Sequence, residues 1–369
     1  MAEFDLVFEG GGAKGVAFAG ALEVFESAGH RARRQIGTSA GAIAAALTAA
    51  GYTSAELIHA ATSRTSDGRP VFLSFLDSPE RRDFSPDQIE GSVTSELLRE
   101  VNVPLAPEWV ERRFDRLLLD GLLASRRYRQ LFSFVEQGGL YSGAAFLDWM
   151  QQRLAAKGLP RNVTLAELAH ASGSDLSVLA SDTADRELLV LNTRTAPELP
   201  VAWAVRMSMS IPFVWREVRW RKEWGLYRGR DKTGNPVVDG GALSNFPLRL
   251  VAEPDSDDRE IMGEASPRRC DNLGLLIDDE SPVPGQPAMQ QDAAFFGELR
   301  TVERVSRLVS TMMKAADEEV IRRYAHHVCK IPAKGYGTLE FDLRGKRLDD
   351  FLEGGRRAMR EHLAVRQAA

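Results

Sequence analysis

Residues 36–51 read IGTSAGAIAAALTAAG, and few architectures can hold such a stretch. Gly37-Thr38-Ser39-Ala40-Gly41 is a G-x-S-x-G segment, the pattern of a strand that turns sharply into a helix with a serine at the tip. The turn forces the serine into a strained backbone conformation. It also brings neighbouring chains so close that the flanking positions, Gly37 and Gly41, have no room for side chains. The alanine-rich run from Ala40 to Ala50 is strongly helix-forming and stops at Gly51, a suitable C-cap. The Ser39 hydroxyl is therefore expected at a helix N-terminus, where developing negative charge is favoured.

A second turn precedes it. Residues 4–20 read FDLVFEGGGAKGVAFAG: a short apolar strand, three glycines, then a helix. Such a turn aims backbone N–H groups at an anion. Gly10, Gly12 and Gly15 fit G-x-G-x-x-G, but the dinucleotide fingerprint also needs an acidic residue about 20 positions on, at the end of a second strand. Here Glu23 and Glu26 fall inside the first helix, and the basic HRARRQ follows. A Walker loop needs Gly-Lys-Ser/Thr, and Lys14 stands between Ala13 and Gly15. Neither phosphate reading fits well.

The third segment is PVVDGGALSNFPLRL, in which Asp239 ends a short buried strand and Gly240 and Gly241 permit a tight backbone approach. Strand ends in open α/β sheets are where sites form. Asp-Gly-Gly is also an ordinary turn sequence. The six histidines, His30, His59, His170, His326, His327 and His362, lie in no distinctive motif. His326 and His327 sit in a helix-like EEVIRRYAHHVCK that suits a structural or solvated role. If no histidine is the base, a carboxylate must be.

Taken in order, the glycine turn, G-T-S-A-G and D-G-G resemble the patatin-like phospholipase family. RMSMSIPFVW (206–215), with Pro212, and DGGALSNFP, with Asn245 and Pro247, look like the family's blocks around the aspartate. GLYSGAAFLDWMQQRL and TLAELAHASGSDLSVLASDT also resemble family segments. The resemblance covers residues 4–250. It implies a three-layer α/β fold with a mostly parallel central sheet and Ser39 on the elbow. It implies Ser39 as nucleophile and Asp239 as general base, with the N–H groups of Gly10, Gly11 and Gly12, helped by that of Ala40, as the oxyanion hole. Gly15, Gly37, Gly41, Gly240 and Gly241 would support these motifs. Lys14 replaces the arginine of many relatives; it would assist the oxyanion or an anionic head group, or else stand in solvent as a helix-start cation. The implied reaction is hydrolysis of a fatty-acyl ester of a phospholipid or lysophospholipid through an acyl-enzyme. Acyl transfer or general esterase action uses the same dyad, and a regulatory module, or one activated by a protein or small molecule, could keep the fold.

Composition adds boundaries. A chain of 369 residues can bury a large core, and a net charge of −5 carries no nucleic-acid signature. Cys270 and Cys329 are too few for a disulfide scaffold and suit a reducing, cytoplasmic compartment. No secretory leader is expected and no 18-residue apolar run suggests a transmembrane helix. Nothing calls for a cofactor or a metal; Asp278-Asp279-Glu280 reads as a surface turn.

Periodicity places a helix at 15–28, a strand near 34–37, a helix starting at a Ser54 cap, helices at 143–156, 164–171 and 200–209, and paired strands at 175–181 and 186–192. Residues 64–140 read as a helical insert or cap over the site. Residues 251–369 read as a C-terminal extension packed on the same domain, with a strand at NLGLLID, one or two amphipathic helices across 293–328, a strand at TLEFDL and a closing helix. Two stretches could meet a membrane. VWREVRWRKEWGLYRGRDK (214–232) mixes Trp215, Trp220, Trp224 and Tyr227 with basic residues, which suits either a lipid–water interface or a hairpin with its rings packed inward. Arg112–Phe134 could be a lid helix or an ordinary packed amphipathic one.

Overall fold

The computed structural model describes residues 2–100, 119–263, 270–285, 317–337, 340 and 342–368. Its frame is a mixed sheet in which the strand Val328–Lys334 is followed by Cys270–Pro282, Glu3–Phe8, Arg31–Thr38, Asp175–Asp182, Pro236–Asp239 and Val218–Arg219, with Glu187–Leu191 also pairing with Asp175–Asp182. The strands are β1 (Glu3–Phe8), β2 (Arg31–Thr38), β4 (Asp175–Asp182), β5 (Glu187–Leu191), β7 (Val218–Arg219), β8 (Pro236–Asp239), β9 (Cys270–Pro282) and β10 (Val328–Lys334). From β10 to β4 all neighbours run parallel, and β5, β8 and β7 join antiparallel. A separate two-stranded sheet pairs β3 (Gly139–Tyr141) with β6 (Phe213–Trp215).

The buried strands send alternate residues to opposite faces, as the pleat requires. On one face Phe4, Leu6 and Phe8 of β1, Leu176 and Val178 of β4 and Leu273 and Leu275 of β9 meet the helices α1 (Ala17–Ser27) and α2 (Ala40–Ala49) and the closing helix Gly345–Ala368. On the other, Val7, Ile36, Leu179 and Leu276 pack on Phe246, Leu248, Ile261, Met262 and Tyr324. Both faces of the parallel strands are thus covered, which gives the three layers expected of such a sheet.

Some local expectations change. The helix α3 (Ser54–Thr62) is capped by Thr53, not Ser54: Thr53 and Glu56 form a reciprocal capping box, while the Ser54 hydroxyl donates to Glu26 at 2.6 Å. The helical run expected to reach Val328 ends earlier. Residues 317–323 are helical, His326 and His327 lie in a short 3-10 turn, and Val328 begins β10, whose alternating burial is the signature of a strand beside β9. Residues 293–316, and half of TLEFDL (338, 339 and 341), fall outside the described residues, and Glu340, Asp342 and Leu343 are not in a strand.

In the 64–140 region, Phe84, Ile89, Leu119, Leu123 and Phe132 form a small core of their own. The helix Arg126–Gln137 buries Phe132 but exposes Leu131 and Val135. The ring-rich stretch at 214–232 turns inward. Trp215, Trp220, Trp224 and Tyr227 are all buried, and the Arg221 guanidinium lies 4.2 Å from the Trp203 ring centre. Burial removes these rings from any lipid interface, so that reading of the segment is overturned. Behind it, the Lys232 ammonium is enclosed by Asp182, Asp185 and Glu187, an acidic cluster that already holds its cation.

Candidate active site

Ser39 stands between the last residue of β2 and the first of α2 with φ 53° and ψ −120°, a left-handed conformation that a serine seldom adopts. Strain of this kind costs on the order of 1–3 kcal/mol and must be held by the surroundings. Two close approaches hold it. A side chain at residue 37 would put its Cβ 2.2 Å from the Gly41 carbonyl oxygen, and one at residue 41 would put it 2.3 Å from that of Phe8. The Ser39 N–H donates to the Ser208 hydroxyl at 2.8 Å. Two residues further on, the Ser210 carbonyl accepts the Asp239 N–H at 2.9 Å. One short segment at the end of helix Val201–Ser208 therefore fixes both Ser39 and Asp239. The sequence RMSMSIP does not by itself assign this task to the segment. Its alternating serines beside Pro212 were the available signal.

Asp239 is 2% exposed at the end of β8. Its Oδ1 accepts the Gly241 N–H at 2.7 Å, and its Oδ2 is buried with no hydrogen-bond partner among the described residues. Burial pushes the carboxyl up to about 7, opposed by the Gly241 N–H and by the nearby Ser39 hydroxyl. The hydroxyl thus lies close enough to stabilise the charged carboxylate, yet outside normal hydrogen-bond geometry, as apo sites often are. Gly240 allows the approach: a Cβ there would come 2.4 Å from the Leu179 carbonyl oxygen. No histidine hydrogen-bonds to Ser39 or Asp239 among the described residues.

The glycine turn packs against this pair. Gly12 has φ 58° and opens a short 3-10 helix, Gly12–Val16, that runs into α1. A Cβ on Gly15 would touch that of Ala40 at 3.1 Å. The Gly10 N–H is directed elsewhere: it donates to the Asn245 carbonyl at 3.1 Å, while Asn245 Nδ2 donates to the Gly10 carbonyl at 3.0 Å. Gly10 is thus the clasp between the turn and the loop after Asp239, and its N–H is not free to meet an oxyanion. The N–H groups of Gly11, Gly12 and Ala40 make no such backbone bond among the described residues. Lys14 is neither solvated nor aimed at the turn. It is 3% exposed and pairs with Asp279 at 2.6 Å, so the solvated-cation reading is corrected.

An apolar cleft of about 710 Å³, including the part open to solvent, starts at Gly12 and Ala40. It is lined by Ile43, Ala44, Leu47, Leu57 and Phe72, with Glu340 among its few polar groups. The small side chains of α2 make this space.

Fold, elbow and turn define an α/β protein of the patatin class, and the chain belongs to the patatin-like phospholipase family, whose model matches residues 6–252. It is 30% identical over 360 residues to "Uncharacterized protein YqhO" of Bacillus subtilis (strain 168), covering 96% of this chain and 95% of that protein. A segment of 115 residues is 21% identical to "Probable lipid hydrolase 463L" of Invertebrate iridescent virus 6, covering 31% of this chain and 36% of that protein. The crystal structure of VipD from Legionella pneumophila shares the fold, with a TM-score of 0.50 at 16% identity over 98% of this chain and 67% of that one. Family membership supports a lipid hydrolase. Among the described residues no helix is long and apolar enough to cross a membrane.

Proposed function

We propose that the chain hydrolyses fatty-acyl esters of phospholipids or lysophospholipids, with Ser39 as nucleophile and Asp239 as its base. The observation that carries this reading is the unpartnered, buried Asp239 Oδ2 beside the Ser39 hydroxyl. A buried carboxylate oxygen left without a donor is poised to take a proton.

In the first step Asp239 accepts the Ser39 proton as Oγ attacks the ester carbonyl. The carbonyl oxygen becomes an oxyanion held by the N–H groups of Gly11, Gly12 and Ala40. Each preorganised donor of this kind lowers the barrier by about 3–4 kcal/mol. Asp239 then gives the proton to the departing alcohol or lysolipid oxygen, and the acyl group stays on Ser39. Water, deprotonated by Asp239, attacks the acyl-enzyme and releases the fatty acid. The cleft suits the acyl chain, since it is apolar and is lined by Gly12 and Ala40, two of the residues proposed for the oxyanion hole.

The test is release of fatty acid from phosphatidylcholine and lysophosphatidylcholine micelles, with and without added cell extract. Turnover that Ser39→Ala abolishes supports the reading. A folded wild type inert under every condition refutes it, and an alcohol that outcompetes water as acceptor replaces hydrolysis with acyl transfer.

A further inference from the structure

Asp239 Oδ2 has a counterpart on the loop that follows it. Asn245 is 9% exposed, and its neighbours orient its amide. The amide nitrogen donates to the Gly10 carbonyl at 3.0 Å and to Glu9 Oε1 at 3.2 Å. A backbone carbonyl can only accept, so this end of the amide is the nitrogen and the other end is the oxygen. Glu9 is held in turn by the Ile277 N–H of β9, which donates to its Oε2 at 2.7 Å. The loop backbone is fixed as well. The N–H groups of Asn245 and Phe246 donate to one oxygen of the buried Asp317, at 2.9 and 2.8 Å, and the Ser244 carbonyl accepts the Thr38 hydroxyl at 3.2 Å. The other polar atoms of Asn245 are thus engaged, while its Oδ1 is buried with no hydrogen-bond partner among the described residues. This oxygen lies next to the nucleophile: the point where a Cβ on Gly10 would stand is 2.1 Å from Asn245 Oδ1 and 3.3 Å from Ser39 Cβ. Two buried acceptors without donors, Asp239 Oδ2 and Asn245 Oδ1, therefore lie beside the Ser39 side chain.

We propose that Asn245 is a catalytic residue of the deacylation step: its Oδ1 accepts one hydrogen of the hydrolytic water while Asp239 Oδ2 takes the other, and this pair of acceptors selects water over alcohols as the acyl acceptor. The proposal rests on the dyad reading above. A water molecule carries two O–H hydrogens and an alcohol one. In acylation the departing alcohol oxygen needs only the proton that Asp239 returns. In deacylation the water enters where that oxygen left. Its oxygen bonds to the acyl carbon as one proton passes to Asp239 Oδ2, and the second hydrogen stays on that oxygen, held by Asn245 Oδ1. When the intermediate collapses, the bond from the acyl carbon to Ser39 Oγ breaks and Asp239 returns its proton to Oγ. The fatty acid leaves with the second hydrogen. An alcohol that attacks the same acyl-enzyme leaves Asn245 Oδ1 buried without a donor, which penalises acyl transfer.

The experiment is product partition. The full chain, Asn245→Leu and Asn245→Asp are given nitrophenyl butyrate in water with a fixed amount of methanol. Butyric acid and methyl butyrate are then measured and corrected for spontaneous reaction, with circular dichroism to show folding. Both products come from one acyl-enzyme with one base and one oxyanion hole, so damage to the Gly10 clasp divides out of their ratio. Leucine keeps the branched shape and removes the acceptor, and the ratio of methyl ester to acid should rise about tenfold, the worth of one hydrogen bond. Aspartate loses the amide nitrogen but keeps an acceptor oxygen, so turnover falls while the ratio stays near that of the wild type. A folded Asn245→Leu enzyme with the wild-type ratio overturns the proposal, as does an Asn245→Asp ratio that rises as far as that of Asn245→Leu. A crystal structure of the wild type tests it without any variant. One water should lie within about 3.2 Å of both Asp239 Oδ2 and Asn245 Oδ1, and a separation too wide for one water to span overturns the proposal. A Ser39→Ala protein that still forms both products would instead defeat the dyad reading, so the two failures are distinct.

Discussion

Acidification should silence the enzyme well before it unfolds. The perturbation is pH alone, and its size follows from Asp239. A free aspartyl carboxyl, at the model-compound value of 3.8, would be almost wholly ionised down to about pH 5 and give no acid limb there. Held at about 7 by burial, Asp239 is half protonated at neutral pH. Its ionised fraction falls to roughly 10% at about pH 6 and roughly 1% at about pH 5. Since only the carboxylate can accept the Ser39 proton, kcat/KM should drop on the order of 100-fold from its plateau to about pH 5. Stability moves the other way. The folded state raises this pKa, so proton binding by Asp239 favours folding. That contribution is full below about pH 4 and is lost as pH rises through about 7. Activity lost at about pH 5 is therefore not unfolding driven by Asp239. The assay is kcat/KM for a neutral nitrophenyl ester, which does not itself titrate, with circular dichroism alongside. Ser39→Ala should also move the Asp239 titration upward, read by carbon NMR of the labelled carboxyl, because the hydroxyl now stabilises the charged form. An acid limb lying below about pH 5 in the folded protein, where an ordinary aspartate titrates, would refute the argument.

Other perturbations separate the remaining parts. Ala44→Phe fills the cleft; if the acyl chain loses about three buried methylenes, at about 0.8 kcal/mol each, kcat/KM for long-chain esters drops on the order of 50-fold while short-chain esters are spared. Lys232→Ala leaves the buried Asp182 carboxylate without its cation and should destabilise by about 3–5 kcal/mol, read as a lower urea midpoint. Trp220→Ala empties a fully buried site and should cost about 3–5 kcal/mol in the same assay; a change near zero would return the Trp segment to the surface.

Much of this site could be read from the sequence because its parts are local. The elbow, the glycine turn and the Asp239 strand end each announce themselves within a few residues, through glycines that leave no room for a Cβ. The mostly parallel core was expected only through the family resemblance that these motifs carry. What escaped joins residues far apart in the chain. Nothing near Lys14 indicates Asp279, and nothing near Asn245 indicates Asp317 or Glu9. The direction of the Gly10 N–H was hidden for the same reason. A glycine turn supplies donors, but only the packed loop decides which of them is already taken. The rings at 214–232 misled because alternating Trp and Arg reads alike at a lipid interface and in a hairpin whose guanidinium groups stack on buried indoles. β10 was missed because its seven residues follow directly on a helical run, and pairing with β9 decides its state.

The central claim, that Ser39 and Asp239 form the hydrolytic pair, is tested most directly by Asp239→Asn. The asparagine has nearly the same shape, leaves the Gly241 N–H an acceptor and removes the proton acceptor. Fatty-acid release from phospholipid micelles should fall by about 10²–10⁴-fold, with an unchanged circular dichroism spectrum, and Ser39→Ala should fall at least as far. A folded Asp239→Asn protein that keeps wild-type turnover would contradict the account and require another base.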